Sequence, residues 1–130
     1  MDHYLTEHFT KEEMQCHCGC GKCDMNLDFM DKLETLRVMY GQPIIISSGY
    51  RCPVHNNKIS GTGLDGPHTT GKAVDVKVYG TDVYNLIKFA LHYGFTGIGI
   101  MQKGRWQDRF IHLDMLEQAP SGPRPWIWSY

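Results

Sequence analysis

Apolar and polar residues alternate over Ala73-Val-Asp-Val-Lys-Val78. A period of two predicts a strand in which Val74, Val76 and Val78 pack a core while Ala73, Asp75 and Lys77 share an open face. Arg109-Phe-Ile-His-Leu-Asp-Met115 has the same rhythm, which puts Asp108, Phe110, His112 and Asp114 on one side. Phe95 to Met101 forms the antiparallel partner of that strand across the Lys103-Gly104 turn region, and Pro43-Ile-Ile-Ile46, short and β-branched, is a buried strand leading into Ser47 to Arg51.

Between these runs the period lengthens. Asn26 to Tyr40 carries Leu27, Met30, Leu33, Leu36, Val38 and Met39 at helical spacing, and Gly41 stops the run. Thr81 to Tyr93, with Val83, Leu86, Ile87, Ala90 and Leu91, predicts a second helix that covers the sheet and closes at Gly94. A short helix near Phe9 to Met14 opens at Thr10, with Glu13 three residues on completing a capping box. Pro53 to Ile59 makes a helical turn, and Ser60 to Pro67 is a glycine-rich loop at a cleft entrance. Strands and helices segregated in this way define an α+β fold: a small antiparallel sheet with helices packed on it.

The chain has 130 residues, enough for one domain with one modest core. Residues 1–26 form a cysteine-rich lead-in and residues 27–130 the core. A net charge of −1 with interspersed signs gives no basic stripe for nucleic acid. No apolar run approaches about 18 residues, and Met1 to His8 lacks a basic leader followed by an apolar stretch. These features predict a monomer that engages neither nucleic acid nor membrane and carries no visible export signal.

The candidate chemistry lies in His68, Asp75 and His112. Two imidazoles and one carboxylate suit a borderline-soft divalent ion, and three protein ligands leave a position open, as catalytic zinc (Zn2+) requires. Gly71 lets the chain turn between His68 and Asp75. Sharing a face with His112, Asp114 and then Asp108 are placed either to activate a water or to orient His112; the plainer alternative has Asp114 merely ending a strand.

Four ordered elements carry a resemblance to a known family: Ser47-Ser-Gly-Tyr-Arg51-Cys-Pro-Val-His-Asn56, the His68-to-Asp75 element, Gly97-Ile-Gly-Ile100, and His112-Leu-Asp114. From about Leu27 onward the chain resembles the M15 zinc peptidases, which include D-alanyl-D-alanine carboxypeptidases and phage cell-wall endopeptidases and share their fold with hedgehog signalling domains. The resemblance implies His68, Asp75 and His112 as zinc ligands, and Arg51 as the residue that steadies the substrate or developing oxyanion, a role suited to a guanidinium fork. A surface salt bridge is the alternative for Arg51. Tyr50 and Trp126 join Arg51 as candidate substrate contacts. The resemblance further implies a zinc-dependent peptidase of peptidoglycan stem peptides or crosslinks, made in the cytoplasm and acting at the cell wall or within a phage particle.

Two positions depart from the family pattern. The run Asp65-Gly-Pro-His68 lacks the serine that many members place two residues before the first histidine, and Arg109 stands where several subfamilies place an acidic base. Loss of the base is the state expected of a non-catalytic zinc-binding module on the same fold. In the C-terminal Arg124-Pro-Trp-Ile-Trp128 the indoles either close the core as a lid or wall the cleft. Cys16, Cys18, Cys20 and Cys23 form a second metal site, pair as disulfides among themselves or with Cys52, or stay as free thiols.

Overall fold

A computed structural model describes residues 3–118 and 122–130. Its helices begin and end where local chemistry dictates. The Thr10 side chain accepts from the Glu13 backbone while the Glu13 carboxylate reaches back to the Thr10 N–H, opening α1 (Lys11–Met14) with the expected capping box. Asn26 caps α2 (Leu27–Tyr40) by accepting from the Phe29 N–H, and Gly41 closes it in the left-handed conformation at φ 79°. Phe29, Met30, Leu33, Leu36 and Tyr40 are the buried stripe of α2, whereas Leu27, Val38 and Met39 face outward. Pro53 occupies the first turn of α3 (Pro53–Ile59), and α4 (Thr81–His92) buries Leu86 and Ala90.

Five strands form one sheet in the order β1-β2-β4-β3-β5: β1 (Ile45–Ser48), β2 (Ala73–Lys77), β3 (Gly97–Met101), β4 (Phe110–Asp114) and β5 (Trp126–Ser129). The first four pair antiparallel, and β5 adds to β3 in parallel. The α+β class read from the pattern holds, with the C-terminal Trp-Ile-Trp run supplying the edge strand that makes the sheet mixed. On one face Val74, Val76, Ile98, Ile111 and Leu113 join Phe29, Leu33, Leu36, Leu86, Ala90 and Phe95 in a single apolar cluster.

Two strand expectations change. β1 starts two residues later than Pro43 and is an edge strand, so Ile45 is exposed while Ile44 is buried. The face of β2 that carries Asp75 is not open: Ala73 and Asp75 are both buried, and only Lys77 reaches solvent. Among the described residues, no helix is long and apolar enough to cross a membrane.

Candidate metal centre

Strand register builds the site. Asp75 of β2 stands opposite His112 of β4, His112 opposite Gly99 of β3, and Gly99 opposite Trp128 of β5, so one row crosses the sheet on the face away from the apolar cluster. The adjacent row runs Ala73, Asp114, Gly97, Trp126. Its small residues make room for the large ones: a Cβ on Gly97 would lie 2.2 Å from Asp114 Oδ1, and one on Gly99 would lie 2.8 Å from the Trp128 ring. His68 arrives from a 3₁₀ turn, Pro67–Thr70, which ends at Gly71 with φ 74°.

His68, Asp75 and His112 are all buried, and one ligand atom from each falls within 4.8 Å of the others. His68 Nε2 lies 3.3 Å from Asp75 Oδ1, and His112 Nδ1 lies 3.2 Å from the same oxygen. The far nitrogens fix the tautomers. His68 Nδ1 is 2.8 Å from the Gly49 carbonyl and His112 Nε2 is 2.7 Å from Asp114 Oδ2; both partners accept, so these nitrogens donate. In their neutral form both rings turn lone pairs toward one carboxylate oxygen, an arrangement that repels itself unless a proton or a metal cation stands among them.

The donor set fits zinc. Ligand atoms about 2.0–2.1 Å from a tetrahedral zinc stand roughly 3.3–3.4 Å apart, close to the observed separations. The surrounding charge points the same way. Burial alone would raise the Asp75 carboxyl, but His68 and His112 hold it well below the usual range. Burial alone would depress the His112 imidazole, but Asp114 and Asp75 on either side hold it above its ordinary value.

Asp114 is wholly enclosed. Besides His112, it accepts from Arg124 Nε at 2.9 Å on Oδ1, from Arg124 Nη2 at 2.8 Å on Oδ2, and from the Leu116 N–H at 3.2 Å. Burial opposes its ionisation, and the His112 and Arg124 hydrogen bonds overcome this to bring the carboxyl down to about 2. Arg124 in turn lies over the Trp128 and Trp126 rings at 5.2 and 5.9 Å, and Trp128 packs against His112 with centroids 5.1 Å apart. Both Asp114 oxygens are thus engaged, one of them by the His112 ring.

Arg51 reaches Asp75 Oδ2 at 3.3 Å through Nη2, Ser48 Oγ at 3.1 Å through Nε and Asn56 Oδ1 at 3.1 Å through Nη1. It also lines the cavity above the three residues, a space of about 590 Å³ walled by Trp126, Trp128, Tyr130, Asp65 and Glu117 among others. Trp126 and Trp128 wall this cavity, and their rings also pack against each other at 4.8 Å between centroids.

Three expectations fail on placement. Asp108 is not on β4: it lies in the 3₁₀ turn Trp106–Asp108, exposed and paired with Arg105 at 3.0 Å, because the strand begins only at Phe110. Tyr50 is buried in the core and borders a shallow depression with Lys22, Cys23 and Asp24, away from the cavity. Cys23 does not join Cys16, Cys18 and Cys20; Cys52 takes its place, bringing four sulfurs within 4.8 Å of one another. The chain pattern gave no sign of Arg124, Tyr130, Asp65 or Glu117 as site residues, although Arg124 opens the Arg-Pro-Trp run.

A family model described as Peptidase M15 matches residues 7–114. The chain belongs to the Peptidase M15 family, and so to the hydrolases, in a family whose members are typically zinc-dependent. The match begins ahead of Leu27, where the resemblance was read, and takes in the cysteine-rich segment. No curated protein matches the chain.

Proposed function

We propose that this protein is a zinc-dependent peptidase acting on peptidoglycan stem peptides or crosslinks, as a D-alanyl-D-alanine carboxypeptidase or an endopeptidase. The observation that carries the reading is the convergence of His68 Nε2 and His112 Nδ1 on Asp75 Oδ1 at the floor of a cavity of about 590 Å³. His68, Asp75 and His112 would hold the zinc, which when bound supplies the Lewis acidity that polarises a carbonyl and makes water acidic near neutral pH.

The chain's own residues do the rest. Gly49 and Asp114 keep the two imidazoles in the tautomer that presents lone pairs. Arg51 holds Asp75 with one N–H, and the two donors it keeps beyond its three contacts are available to a substrate carboxylate or carbonyl. Trp126 and Trp128 shield one side of the cavity from water. With both oxygens of Asp114 engaged, the proton acceptor falls to the other wall carboxylates among the described residues, Asp65 or Glu117.

A second reading, a non-catalytic zinc-binding module, is favoured by the commitment of Asp114 to Arg124 and by Arg109, whose guanidinium bonds the Gly104 carbonyl at 2.8 Å instead of supplying an acid. Zinc-loaded protein incubated with purified peptidoglycan and muropeptides, with products read by mass, separates the two. Products that vanish in His112→Ala and after chelation support the peptidase and identify the bond; intact substrate with stoichiometric zinc bound supports the module.

A further inference from the structure

We propose that Cys16, Cys18, Cys20 and Cys52 form a second metal centre, a closed tetrathiolate zinc site that clasps the N-terminal segment to the loop following Arg51. Cys16 Sγ lies 3.5 Å from Cys18 Sγ and 3.7 Å from Cys52 Sγ, and Cys18 lies 3.6 Å from Cys52. All four sulfurs fall within 4.8 Å. Thiolates about 2.3 Å from a tetrahedral zinc stand roughly 3.8 Å apart, whereas bonded sulfurs stand about 2.05 Å apart. The observed spacing is that of ligands around an ion.

The backbone is shaped for this gathering. Gly19 and Gly21 adopt positive φ of 90° and 74°, turning the chain on either side of Cys20. The Cys16 N–H donates to the Lys22 carbonyl at 2.8 Å and closes the loop. The Cys52 N–H donates to Cys16 Sγ at 3.3 Å, the support a ligating thiolate receives from its surroundings. Four thiolates gathered this closely repel one another unless a divalent cation offsets their charge. With four protein ligands the site has no open position, which is the mark of a structural centre and distinguishes it from the histidine–aspartate site.

The position gives it a task. Cys52 follows Arg51, the residue that holds Asp75, so fixing Cys52 to the lead-in fixes the backbone from which Arg51 reaches the first site. Cys23, half-buried and outside the cluster, accounts for the odd fifth thiol.

The test is metal content by elemental mass spectrometry on protein purified without chelator, together with cobalt(II) reconstitution and the intact mass of non-reduced protein. Wild type and Cys23→Ser should each carry two zinc ions per chain. The double variant His68→Ala/His112→Ala should keep one, and with cobalt should show the intense thiolate-to-cobalt charge-transfer band. Cys18→Ser/Cys20→Ser, which changes exposed side chains, should lose that band and one zinc. One zinc in wild type with no charge-transfer band overturns the proposal, as does a mass two hydrogens lower for each disulfide formed. Neither readout depends on turnover, so the result is independent of whether the first site hydrolyses peptides.

Discussion

The Asp114 carboxylate takes hydrogen bonds from His112, from the Nε–Nη2 edge of the Arg124 guanidinium and from the Leu116 backbone, and that crowding sets what a substitution does. If Asp114 orients His112, Asp114→Asn should weaken zinc binding by roughly 10- to 100-fold, as loss of a partner behind a metal-ligating histidine typically does. Competition with a chromophoric chelator measures this directly. A general base would behave otherwise: zinc affinity would stay and kcat alone would fall, by roughly 10²–10⁴. The same residue gives the metal-free protein a pH dependence. Its carboxyl sits at about 2 when folded against an ordinary 3.8, so its stabilisation is complete above about pH 4 and fades as pH falls toward 2. The shift corresponds to about 2 kcal/mol. Urea midpoints of metal-free wild type should drop across that window, while Asp114→Asn, already lacking the contribution, should drop less; parallel curves would show that Asp114 is not the group responsible.

At the scale of elements, the path from His68 to Asp75 depends on one residue. Gly71 combines a positive φ of 74° with a position where an added Cβ would lie 2.2 Å from the Asp24 carbonyl oxygen, and its own carbonyl accepts from the Asn26 N–H at 2.9 Å. Because the obstacle is backbone, it cannot swing aside as a flexible side chain would. Gly71→Ala should therefore cost about 2–3 kcal/mol through strain and collision together, read as a lower urea midpoint; an unchanged midpoint would show that the 3₁₀ turn can relax around a methyl group. Features encoded within a few residues were legible in the sequence: the Thr10–Glu13 box, the stop at Gly41, and the alternation that puts Asp75, His112 and Asp114 on one side of the sheet. Features closed by distant chain were not. The burial of Asp75 under His68 and Arg51, the return of Arg124 to Asp114 and the substitution of Cys52 for Cys23 each join segments whose spacing carries no period. Asp108 failed for a local reason, since parity counts only while the strand lasts and here a 3₁₀ turn intervenes.

On the scale of the whole molecule, the cysteine-rich lead-in is continuous with the core. Phe9, Met14, Cys16 and Met25 belong to the same apolar cluster as Leu33, Val74 and Ile111. The His8 N–H donates to Glu34 Oε1 at 2.9 Å, and the Tyr50 N–H donates to the Met14 carbonyl at 2.8 Å. Met14 also sits so close to Gly49 that a Cβ there would lie 2.8 Å from its Cα, and Gly49 is the residue whose carbonyl orients His68. The first segment of the chain therefore supports the candidate metal centre through its packing. Phe9, only 1% exposed, tests this from a point outside both clusters of ligands. Truncating it to alanine removes a buried ring and leaves a cavity, at a cost of about 3–5 kcal/mol, a large share of the 5–15 kcal/mol that ordinarily holds a domain together. If the lead-in and core unfold as one unit, Phe9→Ala should lower the urea midpoint of the single main transition followed by tryptophan fluorescence, whose reporters are Trp126 and Trp128 in the C-terminal strand and Trp106 in the 3₁₀ turn before β4. A detachable arm predicts the opposite, an unchanged main transition preceded by a separate loss of structure at low urea.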